Sequence, residues 1–274
     1  MSAAMQVVKT VPFGTAVTAP IFRYHPALVA QAFATMQAMH GERVILGVGS
    51  GEGMNEIPLG FKWPNLRERR TRVIEAMKII RELWKGGFVD FHSQFYDLNA
   101  ASLYMKASVP IYIAAVGPKM ARVVGQLGDG YICNPPTTME YVKTVLFPAI
   151  EEGAKAAGRS YEGIRKMYEL DVTYARDYDQ ALSSLKNVVA FLSIEGYVEP
   201  ISDPRKLEEM SGEISVDKIE KSYVIGTTPE DHIKRIEQVF DAGFDHVCIL
   251  SFSPDEEECL QMYKKHIIPY FAEK

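Results

Sequence analysis

A chain of 274 residues is too long for one minimal core and suits a single large α/β domain, since parallel barrels run to about 250 residues. Its content of 47% hydrophobic and 24% charged residues is that of an ordinary soluble globular protein and excludes a disordered, collagen-like or membrane-spanning chain. A net charge of -5 argues against a nucleic-acid or membrane-surface binder, both of which favour a basic face.

Strand-like and helix-like segments alternate from end to end, the signature of βα units around a parallel sheet. The first strand is expected at 10–17, with Pro12 suiting an edge position, and a helix at 26–39 carries Leu28, Val29, Ala32, Phe33 and Met36 at three-to-four spacing. The strand at 43–48 holds the continuous apolar run Val44, Ile45, Leu46 of a strand covered on both faces. It feeds a loop in which Gly47, Gly49, Gly51 and Gly53 free the backbone to turn or to approach a ligand, while Glu52, Asn55 and Glu56 supply polar groups at the ligand-binding end of the strand. Gly47-x-Gly49 begins a dinucleotide fingerprint, but that motif needs a helix at its third glycine. Pro58, Gly60 and Pro64 follow, so no helix is expected before about Asn65 and a barrel-mouth loop is the better reading.

The clearest amphipathic helix is at 65–85, with Leu66, Val73, Ile74, Met77, Ile80, Leu83 and Trp84 on one stripe. The basic run of Arg67, Arg69, Arg70 and Arg72 is interleaved with Glu68 and Glu75 and reads as a solvated or ion-paired face rather than a nucleic-acid patch. A surface hairpin is expected near 88–98, a buried strand at 109–115, and a helix after Gly117-Pro118-Lys119 with proline inside its first turn. A strand at 130–133, a helix at 139–157, a strand at 166–174 and a helix at 179–192 follow. An irregular insertion near 196–215 leads to a helix at 229–242, a strand at 245–252 and a helix at 254–266. The strands number six, two fewer than a closed (β/α)8 barrel needs.

Cys133, Cys248 and Cys259 are widely spaced, with no Cys-x-x-Cys pair and no secretory signal, so a reducing cytoplasm is the simplest compartment. His25, His40, His92, His232, His246 and His266 lack the paired spacing of zinc sites, and no metal is expected.

The loop 47–56, the run Phe22-Arg-Tyr-His-Pro26, the helix 66–84 and the run Ile111-Tyr-Ile-Ala-Ala-Val-Gly-Pro118 together resemble the luciferase-like oxidoreductase superfamily, in its branch that uses the deazaflavin coenzyme F-420. That branch includes glucose-6-phosphate dehydrogenase, secondary alcohol dehydrogenase and methylenetetrahydromethanopterin reductase. The resemblance covers essentially the whole chain. It implies a TIM-barrel-like parallel α/β barrel, an F-420-dependent hydride-transfer enzyme with a small-molecule substrate, and a homodimer.

Several residues acquire roles by that resemblance. Thr15, Ala16 and Val17 fall where the family carries a non-proline cis peptide behind the deazaflavin ring, with Ala16-Val17 the candidate bond. Ser50, Gly51, Glu52 and Asn55 match the loop at the ring and ribityl chain, and Glu52 matches a carboxylate that handles a proton there. Ala114, Ala115, Val116 and Gly117 match the segment around the coenzyme phosphate, at a helix start whose N–H groups suit an anion. Many relatives have a second glycine at Val116. Cys133 and Asn134 match the next strand end, with a small buried apolar residue as the equal alternative for Cys133.

Two departures from the family matter. Relatives carry two further βα units before the strand at 10–17, including the histidine treated as catalytic base, so an N-terminally truncated, open barrel of about six strands is expected. Its exposed edge would be covered by the chain's own N-terminal residues or by a partner subunit. His25 reads instead as part of the turn that opens a helix. The basic trio that holds a sugar phosphate in relatives falls at Val198, Arg235 and Glu256-Glu257-Glu258. Arg235 alone keeps its charge, and the three carboxylates would repel a phosphate. A pterin or an alcohol is therefore favoured over a sugar phosphate as substrate. A non-catalytic flavin-binding protein and an FMN-dependent monooxygenase are the alternatives.

Overall fold

The computed structural model describes residues 1–135, 137–186, 189 and 200–273. Val198, the end of the helix expected at 179–192 and the start of the insertion expected at 196–215 lie outside the described residues. The chain divides into two compact units, one of residues 1–132 and 149–164, the other of residues 133–148 and 165–274.

In the first unit the strands β1 (Phe13–Gly14) and β2 (Val44–Val48) are parallel and pair Phe13 with Val44. A two-stranded antiparallel hairpin, β3 (Val89–His92) with β4 (Asp97–Ala101), occupies the place expected for it. β5 (Ile111–Ala114) pairs in parallel with β2, Leu46 opposite Ile111, and β6 (Gly130–Cys133) pairs in parallel with β5, Tyr112 opposite Gly130. Because these strands run the same way, the loops after β1, β2 and β5 leave the sheet on one side, the side where parallel sheets bind ligands. Val44, Leu46, Val48, Ile111 and Ile113 are fully buried, each side chain contributing about 1.5–3 kcal/mol of transfer free energy. The first strand is shorter than its apolar reading over 10–17. Beyond Gly14 the chain leaves the regular ladder and rejoins it at the Thr18–Val48 bridge.

The helix Leu66–Lys85 is capped by Asn65, whose side chain accepts from the Glu68 N–H at 3.0 Å. Its stripe of Val73, Met77, Ile80, Leu83 and Trp84 is buried, and the Trp84 indole donates to Ala30 O at 2.9 Å on the helix Pro26–His40. Of the basic run, Arg72 is ion-paired with Glu68 at 2.8 Å, but Arg69 is buried rather than on a solvated face, its guanidinium 4.2 Å from the Trp63 ring centroid. His25 opens the helix Pro26–His40 by accepting from the Ala27 N–H at 3.2 Å. The helix Pro118–Leu127 lies so close to the helix Phe147–Ala156 that a Cβ on Gly125 would stand 2.0 Å from Ile150 O.

In the second unit β7 (Arg165–Tyr174) pairs in parallel with β8 (Val224–Gly226) and β9 (His246–Ser251), Val172 standing opposite both Val224 and Ser251. β8 was not expected: three residues are too few to show a period. The insertion near 196–215 is not irregular throughout its described part but holds the helix Pro204–Glu213, and a second helix not expected, Val216–Ser222, follows it. Asp203 caps the first, accepting from the Arg205 N–H at 3.0 Å, with Pro204 inside the first turn. π-helical turns at Val142–Leu146 and Tyr263–Ile267 precede Pro148 and Pro269. There the missing N–H and the clash with the carbonyl four residues back widen the helix. Among the described residues no helix is long and apolar enough to cross a membrane.

Candidate active site

The end of β2 is shaped by the segment after β1. Thr15 Oγ1 donates to Gly47 O at 3.1 Å and accepts from Gly47 N at 3.2 Å, Thr18 N donates to Gly47 O at 2.8 Å, and Gly49 N donates to Thr18 O at 3.0 Å. Between the two threonines the Ala16–Val17 peptide is cis. A Cβ on Gly47 would fall 1.8 Å from Thr15 O, and one on Gly49 would fall 2.5 Å from Val17 Cγ2 and 4.0 Å from Ala114 Cβ. Gly47 and Gly49 are thus required by the neighbouring chain segment, a different reason from the approach to a ligand read in the sequence. The consequence is that Val17, Gly49 and Ala114 converge where three strands end, with Val17 40% exposed.

The loop that follows holds the acidic residues. Gly51 takes a positive φ of 73°, which only glycine adopts freely. A one-turn helix Gly53–Glu56 and a 3-10 turn Ile57–Leu59 then form ahead of Asn65, where none was expected. Pro58 does not prevent them, because it sits in the first turn of the second, where no N–H bond is lost. Glu52 precedes this helix in extended conformation, and its Oε2 accepts from Asn55 Nδ2 at 2.7 Å. Burial raises the Glu52 carboxyl above the usual carboxylate range; the Arg23 charge and the Asn55 bond oppose this, and the Glu56 charge adds to it. Glu56 is fully buried and pairs with Arg23, Nε to Oε1 at 3.1 Å. The sequence offered no signal for that pair, whose members stand far apart in the chain.

After β5, Ala115 is fixed from two sides: its N–H donates to Ile132 O at 3.1 Å and its carbonyl accepts from Tyr131 Oη at 3.0 Å. Val116 is exposed, and Gly117 is the extended residue before the helix Pro118–Leu127. A Cβ on Gly117 would meet nothing within 4 Å, so this ten-residue helix presents an open N-terminus to an anion. The residues of the first unit that the sequence singled out lie on these three loops. Thr15, Ala16 and Val17 follow β1, Ser50, Gly51, Glu52 and Asn55 follow β2, and Ala114, Ala115, Val116 and Gly117 close β5.

Cys133 and Asn134 belong to the second unit. Cys133 is buried, and the Asn134 carbonyl accepts from the Thr137 N–H at 3.3 Å in a turn. In the same unit Arg235, on the helix Pro229–Asp241, donates from Nη2 to Lys221 O at 3.0 Å and Ser222 O at 3.4 Å. It lines a cavity of about 380 Å³ together with Thr137, Thr138, Lys143, Lys221 and Ser222. Glu256, Glu257 and Glu258 form the first turn of the helix Glu256–Met262, where negative charge is favoured, and Glu258 pairs with Arg176 at 2.8 Å.

The family model for luciferase-like monooxygenases matches residues 1–246. Among curated relatives, the F-420-dependent glucose-6-phosphate dehydrogenase of Amycolatopsis mediterranei (strain U-32) is 36% identical over 272 residues, covering 98% of this chain and 82% of the relative. That of Nocardia farcinica (strain IFM 10152) is 37% identical over 273 residues, covering 98% and 81%. Among solved structures, an F-420-dependent secondary alcohol dehydrogenase in complex with an F-420–acetone adduct superposes with a TM-score of 0.93 at 34% identity, over 98% of this chain and 82% of that one. A coenzyme F-420-dependent tetrahydromethanopterin reductase from Methanopyrus kandleri superposes with a TM-score of 0.81 at 25% identity, over 98% and 86%.

Proposed function

From a chain that belongs to the luciferase-like monooxygenase family and shares its α/β barrel-type fold with an F-420-dependent enzyme over 98% of its length, we infer an F-420-dependent oxidoreductase that passes a hydride between the coenzyme and a small alcohol. The observation that carries the reading is the convergence of three strand-end loops: Val17, Gly49 and Ala114 side by side, Glu52 bonded to Asn55, and an open helix start at Gly117. These residues fit the coenzyme in chemistry as well as place. Val17 offers exposed apolar surface for a ring, the N–H groups around Val116 and Gly117 suit a phosphate, and Glu52 is a carboxyl whose protonation lies nearer neutrality than usual.

Coenzyme F-420, when bound, supplies the carbon that gives or receives the hydride. The chain's own tasks are to hold the reactants together and to manage one proton. Thr15, Ala16 and Val17 with Ser50 and Gly51 would form the ring side, and Ala114, Ala115, Val116 and Gly117 the phosphate side, with Cys133 and Asn134 following by resemblance alone. Glu52, held by Asn55, would take the proton released as an alcohol is oxidised or return it in the opposite direction. A homodimer and a cytoplasmic location rest on the resemblance and the cysteine usage.

An alcohol is placed ahead of a pterin because the alcohol dehydrogenase is the nearer of the two structures in identity and TM-score. A phosphorylated sugar is the second reading, favoured by the cavity that Lys143, Lys221 and Arg235 line and by the names of the curated relatives. The carboxylates 256–258, which counted against a phosphate in the sequence, lie in the first turn of a helix, and Glu258 is paired with Arg176. The test is incubation of the purified chain with oxidised F-420 and either isopropanol or glucose 6-phosphate, following loss of deazaflavin absorbance. Reduction by isopropanol supports the leading reading, and reduction by the sugar phosphate alone replaces it with the second. Tight binding of F-420 without turnover of alcohol, sugar phosphate or pterin would favour the non-catalytic alternative, and oxygen consumption with reduced FMN the monooxygenase.

A further inference from the structure

The register of β1 against β2 slips at the end of the ladder. Gly14 stands opposite Ile45 and Thr18 opposite Val48, so the chain takes four steps from 14 to 18 where β2 takes three from 45 to 48. One extra residue is fitted in, a bulge of the kind that re-aims a side chain beside a site. Val17 is the side chain concerned. A Cβ on Gly49 would fall 2.5 Å from Val17 Cγ2, so Val17 lies across the end of β2 while remaining 40% exposed.

One hydroxyl fastens this bulge. Thr15 Oγ1 donates to Gly47 O at 3.1 Å and accepts from Gly47 N at 3.2 Å and from Thr18 Oγ1 at 3.0 Å. It therefore takes up the N–H of Gly47 and shares its carbonyl with the Thr18 N–H, 2.8 Å away. A hydroxyl has one hydrogen to donate and two lone pairs to accept with. All three are used inside the protein, and nothing is left for a ligand, although the resemblance sets Thr15 among the coenzyme residues.

We propose that Thr15 is a positioning residue of the coenzyme site: its hydroxyl ties the bulge to Gly47 and so sets where the Val17 side chain stands, without itself touching the coenzyme. The proposal deepens the function inferred above and rests on Val17 facing the coenzyme. Valine at position 15 keeps the shape of threonine but leaves the Gly47 N–H without its partner, a cost the chain relieves by shifting the bulge. Serine keeps the hydroxyl and with it all three bonds.

The experiment compares T15V and T15S in two ways. In coenzyme-free protein, NMR follows the Gly47 and Gly49 amides and the Val17 methyls, the latter identified by their loss in V17A. Titration with F-420 then measures affinity in the same folded variants. In T15V the three sets of signals are expected to move and the F-420 Kd to rise about tenfold, the equivalent of one lost hydrogen bond; T15S recovers both. A T15V protein that melts lower but keeps the Val17 signals and the wild-type Kd would overturn the proposal, since its hydroxyl would then serve stability alone. Equal losses in T15S and T15V would also overturn it. If T15V does not fold, T15C decides, its thiol being a weak donor and acceptor: a Kd above that of T15S supports the proposal, and equal values refute it. The coenzyme-free signals separate this inference from the one beneath it. Val17 methyls that move in T15V and return in T15S, in a protein whose wild type binds no F-420, would leave the fastening in place and remove the coenzyme reading.

Discussion

The loops after β1, β2 and β5 and the cavity at Arg235 are built from different materials. The first is made largely of backbone: Gly47 bonded on both its N–H and its carbonyl, Gly49 against Val17, and Ala115 held by Ile132 and Tyr131. The second is lined by long polar side chains, Lys143, Lys221 and Arg235, with Thr137, Thr138 and Ser222. A backbone-built site can be altered only by deforming the chain, whereas a site of lysines and an arginine changes with each substitution at little cost to the fold. That contrast suits a coenzyme kept constant across a family and a substrate that varies between its members.

The largest expected effect comes from G47A. An added methyl 1.8 Å from Thr15 O forces the two segments apart, at a cost of about 3 kcal/mol or more by analogy with overpacked cores, and F-420 binding is lost with it. Urea denaturation and a coenzyme titration check this. As a control, G125A meets Ile150 O at 2.0 Å between two helices and destabilises comparably, yet the variant that folds should still bind the coenzyme. Equal loss of binding in both would erase the distinction between the loops and the rest of the unit.

Next is E52Q. Loss of a positioned proton-transfer group lowers kcat by about 100-fold or more while F-420 affinity changes only a few-fold. A large loss of affinity with kcat intact would make Glu52 a binding group instead.

The third expectation concerns acid. His232, on the Arg235 helix, is fully buried between Tyr174 and Tyr263, bonded to Tyr263 Oη at 2.9 Å, and burial pushes its imidazole down to about 4. A histidine depressed in the folded state stabilises above its unfolded value of about 6.5 and loses that contribution as pH falls from there to about 4. The loss amounts to about 3 kcal/mol between pH 7 and pH 4. Trp63 and Trp84, the two tryptophans of the chain, both lie in the first unit. Far-ultraviolet circular dichroism and tryptophan emission recorded together at falling pH therefore test whether the second unit gives way first. H232Q should flatten the pH dependence of the melting temperature over that window; an unchanged slope would assign acid sensitivity to other groups.

The smallest effect is expected of R235Q, which should leave F-420 affinity unchanged. If the substrate is a phosphorylated sugar, its KM rises about tenfold, or about 1.4 kcal/mol; if it is a neutral alcohol, KM stays near the wild-type value. The ratio of the two changes is the readout.

Much of this arrangement was legible in the sequence because it is local. The continuous run Val44, Ile45, Leu46 followed by alternating glycines marks a buried strand and a loop at its end, the stripe of Leu66–Lys85 has a full helical period, and Gly117-Pro118 writes a helix start in two residues. What escaped was non-local or short. The reason for Gly47 and Gly49 lies in Thr15 and Val17, some 32 positions earlier. The Arg23–Glu56 pair forms only when the loop turns back on the segment before the first long helix, and a buried ion pair leaves no periodic trace. β8 is three residues long. The helix Pro204–Glu213 did carry its signal, an Asp203 cap with proline in the first turn, but its serine, its glycine and the weak apolar stripe around Leu207 read as loop.

The central claim, that the strand-end loops of the first unit form a deazaflavin site, is tested most directly by titrating the purified chain with coenzyme F-420 and in parallel with FMN, following cofactor fluorescence. Micromolar or tighter binding of F-420, retained in R235Q and lost in G47A, is the result predicted. Absence of F-420 binding, or a preference for FMN, would contradict it.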